Sequence, residues 1–334
     1  MHQTYLNMLK YGYVVSEING KANVLLGEAD YNSLKQCENT EEIAIKLMKN
    51  YKYISEDMEM SKNEIKKRLT KTLIDEFNSF VYIDDPVLNI IMDYYIDFHK
   101  IHNFFMLLQS KAVDPELDKA FSKIEIGDFD ALKTLKFSKD MNDVQKYCVE
   151  NSFLKKYYYR IKWQPEFKDN NFQLSQALFF KYHIEETYCK LEKHDLFIGD
   201  IFKVEADRYI VDLTLNTFCS EDIKGRERRK LYPKIYTMDE ATVEALSEVD
   251  SQEDLKNIVS SKYNFRGDLF SGLIQREIDI YNESFKMFND ISCMYAYFKL
   301  KEQEIRNILW IIECVSMNRR ETIDNIIVLK KVEK

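Results

Sequence analysis

The chain has 334 residues, 45% of them hydrophobic and 31% charged, with only 8 Gly and 4 Pro; so few breakers among so many Leu, Ile, Lys and Glu argue against strand-rich and linker-rich folds. Its net charge of −8 and pI of about 5.4 disfavour a general nucleic-acid binder, which shows a basic balance. Six scattered cysteines (Cys37, Cys148, Cys189, Cys219, Cys293 and Cys314) include no CxxC pair, so a reducing compartment is expected rather than a disulfide framework.

In chain order, the first residues, Met1-His2-Gln3-Thr4-Tyr5, lack the apolar core of a signal peptide. The segment 34–53 aligns without gaps with 246–265: Leu34 meets Leu246, Glu41 meets Glu253, Ile43 meets Leu255, Leu47 meets Val259 and Tyr51 meets Tyr263. Each copy opens a helix the same way, with Asn39 or Ser251 as N-cap and an acid three residues on, Glu42 or Asp254. A weaker third copy spans 135–152, with Asp140 as cap, Asp143 as acid and Val144 as first apolar residue. Repetition of this kind points to three related helical modules, near 1–115, 116–225 and 226–334. Ordinary helical proteins also carry such caps, so the middle copy admits a plainer explanation.

Between the repeats, 64–80 places Ile65, Leu69, Leu73 and Phe77 at four-residue steps, which predicts an amphipathic helix. Pro86 suits the first position of a helix capped by Asp84 or Asp85. The stretch after it, 87–108, is apolar on most of its girth and reads as a largely buried helix, as does 172–192. The run 208–215 has the β-branched content of a strand. At helical spacing, however, Val204, Val211, Leu215 and Phe218 form one stripe; local propensity alone would choose strand, and it is mainly the resemblance given below that makes 204–218 a helix. The strongest apolar run, 308–312, is far shorter than the roughly 20 residues a spanning helix needs. Asn282-Glu283-Ser284 is a glycosylation sequon that a cytosolic protein would leave unmodified.

Chemistry is hard to find. No GxGxxG, GxxxxGK[ST], HExxH or GxSxG pattern occurs, so no catalytic, cofactor-binding or metal residue is assigned. His99 and His102 have a metal-compatible i,i+3 spacing without further ligands beside them, and read as packed or surface histidines. The acidic pairs Glu185-Glu186 and Asp84-Asp85 cannot be told from caps or solvated faces. The basic and aromatic run 155–163 could stack on single-stranded bases, but consecutive aromatics on a helix point to different faces. The cluster 224–230 is the best basic patch; Arg226, Arg228 and Arg229 belong either to a solvated loop or to a docking loop for an acidic partner.

The stretch 299–314 (LKEQEIRNILWIIE between Lys299 and Cys314) closely resembles the subunit d family of vacuolar-type proton ATPases, a central-stalk family with a counterpart in archaeal-type enzymes. Three more places are similar to that family: Gly12-Tyr13 running on to 29–38, Glu205-Ala206-Asp207-Arg208 running on to 216–218, and Arg229-Lys230-Leu231-Tyr232-Pro233. The matches keep family order over about 12–327. Positions 235–241 depart by lacking a Pro-Glu-Gly turn, His102 stands where Asp is usual, and Asn19 stands where a basic residue is usual.

The resemblance implies an all-α funnel of three pseudo-symmetric modules. It implies a non-catalytic rotor subunit, peripheral on the cytoplasmic face of a vacuolar or other endomembrane, that couples the shaft to the membrane ring. The implied partners are the proteolipid ring, shaft subunits D and F, and the cytosolic part of subunit a. A generic helical adaptor is the other function compatible with the repeat.

On the helix containing this stretch, Phe298, Ile305, Leu309 and Ile312 share one side, while Lys299, Glu302, Arg306 and Glu313 form a narrow charged stripe. That stripe, with a Glu302–Arg306 pair at i,i+4, is either an internal network or a face turned to the shaft.

Overall fold

The computed structural model describes residues 2–55, 61–81, 83–113, 117–161, 172–218, 223–265, 268–287, 290–327 and 329. Lys162 and Trp163 of the basic and aromatic run, Cys219, and the expected boundary at 115/116 lie outside them. Sixteen α-helices carry the fold among the described residues, and none of these residues is in a strand.

In chain order the helices are α1 (His2–Asn23), α2 (Glu28–Lys35), α3 (Thr40–Leu47), α4 (Lys62–Val81), α5 (Pro86–Val113), α6 (Asp118–Phe121), α7 (Asp130–Lys133) and α8 (Met141–Asp143). There follow α9 (Lys155–Ile161), α10 (Phe172–Leu191), α11 (Ile198–Asn216), α12 (Arg226–Leu231), α13 (Glu240–Glu248), α14 (Gln252–Tyr263), α15 (Leu269–Ser284) and α16 (Ser292–Ser316).

All three repeat caps form. Asn39 accepts from Glu42 N at 2.9 Å while Glu42 reaches back to Glu38 N at 2.9 Å. Asp140 accepts from Asp143 N at 2.9 Å, and Asp143 returns to Lys139 N at 2.9 Å. Ser251 accepts from Asp254 N at 3.1 Å. The middle copy then differs: α8 is followed by a π turn, Val144–Val149, with Glu150 N donating to Gln145 O at 2.9 Å. The wider turn lets Val144, Cys148 and Val149 all face inward.

Asp85, not Asp84, caps α5, its Oδ1 accepting from Val87 N at 3.0 Å and Leu88 N at 2.9 Å. Pro86 thereby occupies the position that needs no N–H donor. The ambiguous run 208–215 lies inside α11, with Ile210, Val211, Leu213 and Thr214 buried. Tertiary burial has overridden local β-propensity there.

Two compact units emerge from chain packing: residues 1–89, 196–201 and 273–334 form one, and 90–195 with 202–272 form the other. In the first, α16 packs against α1, α2, α3 and α4. Eighteen of its 25 residues are buried, so it is core over most of its girth. The α4 stripe of Ile65, Leu69, Leu73 and Phe77 is buried, and the Phe77 ring meets Phe298 of α16 edge-on at 5.3 Å. Each such apolar side chain contributes roughly 1.5–3 kcal/mol by leaving water.

In the second unit an aromatic cluster fills the core. Phe105 meets Phe179 at 5.1 Å, and Tyr94 stacks on His183 at 4.6 Å. His183 is bonded at both ring nitrogens, to Tyr157 Oη at 2.8 Å and Tyr94 O at 3.1 Å, and burial pushes its pKa down to about 4. It is a neutral packing residue at ordinary pH.

Candidate functional site

Two places gather the charges that the sequence singles out. The basic segment of the second unit is helical from Arg226 to Leu231 rather than a loop. Gly225 initiates it at φ +52°, and a side chain there would collide with the carboxylate of Glu248. Arg228 is fully buried, which corrects its expected place on a solvated or docking loop. Its Nε donates to Thr217 Oγ1 at 2.8 Å, its Nη1 to Ser247 O at 2.8 Å and to Val249 O, and its Nη2 to Asp250 at 3.3 Å. The guanidinium therefore ties the ends of α11 and α13 together.

Arg229 is half-buried, donating to Tyr236 Oη at 2.9 Å and to Glu240. Arg226 is exposed. Beside this segment lies a cleft of about 600 Å³, lined by residues of α10 and of 227–236.

In the first unit the α16 stripe divides. Lys299 pairs with Glu302 at 3.6 Å, Glu313 pairs with Lys62 of α4, and Arg306 is exposed. The structure thus gives Glu302 a lysine one turn back in place of the expected Arg306.

The buried ionic network runs along another face of the same helix. Glu304, fully buried, accepts from Lys301 Nζ at 2.8 Å, from Tyr51 Oη and from Leu26 N. Asn307, one turn on, donates to Tyr31 Oη at 3.2 Å and Ile327 O at 2.7 Å. Burial, reinforced by the Glu304 charge, raises the Tyr31 and Tyr51 phenols far above their ordinary range, so both stay protonated. No local sequence signal marks this network, because Lys301 and Glu304 sit in the charged run 301–304 and their partners Leu26 and Tyr51 are remote in the chain.

His102 Nδ1 meets Gln176 Nε2 at 3.3 Å, and burial lowers its pKa. No group of three or more potential metal ligands occurs among the described residues.

Buried charges that brace helices, with others facing outward, place the chain among all-α proteins. The chain belongs to the ATP synthase (C/AC39) subunit family, whose model matches residues 14–326. It is 26% identical to the V-type proton ATPase subunit d of Dictyostelium discoideum, over 95% of this chain and 94% of that protein. It is 25% identical to the subunit d of Saccharomyces cerevisiae, over 98% and 99% of the two chains. Subunit d1 of Arabidopsis thaliana is 24% identical, with 95% of each covered.

Proposed function

We propose that this chain is a non-catalytic subunit of a rotary V-type proton ATPase, joining the central shaft to the membrane proteolipid ring and transmitting torque between them. The observation that carries the reading is length-for-length similarity: proteins named as subunit d are matched from end to end, not over a shared fragment. Its partners on this reading are the proteolipid ring, shaft subunits D and F and the cytosolic part of subunit a, at the cytoplasmic face of an endomembrane. The three repeat-bearing segments serve as pseudo-symmetric modules of a funnel that holds the shaft. Among the described residues no helix is long and apolar enough to cross a membrane, so membrane attachment is assigned to the partners.

Affinity capture of the tagged chain from detergent-solubilised membranes should bring the proteolipid and shaft subunits with it. Recovery without either would overturn the assignment. Calorimetry of the purified chain should show no stoichiometric ATP binding, and a one-to-one ATP isotherm would count against a purely mechanical role.

A further inference from the structure

We propose that the cleft beside α12 is a docking site for an acidic segment of a partner polypeptide, one of whose carboxylates sits on the amine of Lys181. The proposal rests on the reading above, that the chain works by holding partners, and gives one such contact its chemistry.

Four cations, Lys181, Arg229, Lys230 and Lys234, line the cleft against a single acid, Glu227. Two of the four are already neutralised. Lys230 pairs with Glu227 at 2.6 Å, and Arg229 with Glu240 at 2.5 Å. The other two have no carboxylate within ion-pair distance among the described residues. Lys234 is exposed, and its backbone N–H, not its amine, occupies Glu185 Oε1 at 2.8 Å.

Lys181 is the telling one. Only 6% of it is exposed, and its amine, with three donors to satisfy, gives one to the carbonyl of Lys230. Burial lowers its pKa; Glu185, four residues on, works against this, while Lys234 and Arg229 add to it. A buried ammonium facing like charges is held at a cost that an incoming anion removes. This local excess of positive charge occurs in a chain whose net charge is −8.

The rest of the lining decides between anions. A compact polyphosphate calls for several free cations converging on one point, and only two are free here. Tyr182 and Tyr236, both part-exposed, supply flat aromatic walls instead, suited to the backbone and aliphatic carbons of an extended peptide whose acid reaches the buried amine.

The test uses the full-length chain and a fluorescein-labelled ten-residue peptide of alternating Gly and Glu, followed by anisotropy at low salt. Saturable binding is expected, about tenfold tighter than for the Gly-Gln counterpart, and weakened by added salt. Lys181→Met should weaken it about tenfold, and Lys234→Gln about threefold, the latter at a surface site whose change leaves folding intact. Equal binding of the two peptides, or wild-type affinity in Lys234→Gln and Lys181→Met, would overturn the proposal. So would tight binding of inositol hexakisphosphate by a chain that ignores the peptide, which would make the cleft a small-anion site.

Capture from membranes separates this failure from failure of the rotor reading. A chain that brings down proteolipid and shaft subunits but binds no peptide refutes the cleft alone. One that binds the peptide and captures neither refutes the rotor assignment.

Discussion

Arg228 shows why neighbouring cations in one basic run cannot be treated alike. Charge reversal at Arg226, which is exposed, should leave the melting temperature of the isolated chain unchanged within error. Reversal at Arg228 places a carboxylate against the carbonyls of Ser247 and Val249, and should cost on the order of 3–5 kcal/mol or prevent folding. Differential scanning fluorimetry of the two single variants checks this, and equal melting would mean that Arg228 is not the buried tie. Arg306 gives the opposite expectation. Because it is exposed, Arg306→Ala should melt normally, yet recover less shaft subunit in a pull-down if the α16 stripe is a contact face. Normal recovery would remove Arg306 from that face. Neither distinction was legible in the sequence, where three arginines in seven residues look equivalent. The Lys301–Glu304 network was equally hidden, since its partners Leu26 and Tyr51 are remote in the chain.

At the scale of single helices the sequence was far more informative, because caps and stripes are local. Asn39, Asp140 and Ser251 each accept the expected backbone N–H, and the α4 stripe turns inward throughout. The π turn after α8 had no local signature, because it is set by what Val144, Cys148 and Val149 must reach. Asp85 carries a testable consequence of capping. Burial acts to raise its pKa, but Lys10 at 2.5 Å and the two α5 N–H donors outweigh that and hold the carboxyl below its ordinary value. A folded pKa lower than the unfolded one, about 3.9, gives stability that is complete above that pH and fades as the pH falls through the folded value. Asp85→Asn keeps an acceptor for the cap and loses the charge. Its stability relative to wild type should therefore be poorest near neutrality and improve towards pH 2, in urea titrations run across that range. A constant difference would mean that the Asp85 carboxyl titrates alike in the folded and unfolded chain, and that Lys10 and the cap together do not favour its charge.

On the scale of the whole molecule, the helical content and the family were readable from the chain, whereas the two packing units were not. Their membership is discontinuous: residues 273–334 close the unit that 1–89 begins. That arrangement governs how the protein is made. The apolar faces of α1 to α4 emerge from the ribosome first, and the helix that covers them, α16, lies roughly 200 residues downstream. At 5–20 residues per second, those faces stay uncovered for roughly 10–40 s in every round of synthesis. The nascent chain should depend on holding chaperones over that interval. Ribosome-bound chains stalled at residue 285 should be cleaved readily within α1 to α4, whereas chains extended past residue 316, with enough further length to clear the exit tunnel, should resist. Early resistance would mean that the first four helices find another cover. For a subunit destined for a large assembly, such a delay couples the supply of competent protein to chaperone capacity before any partner is met.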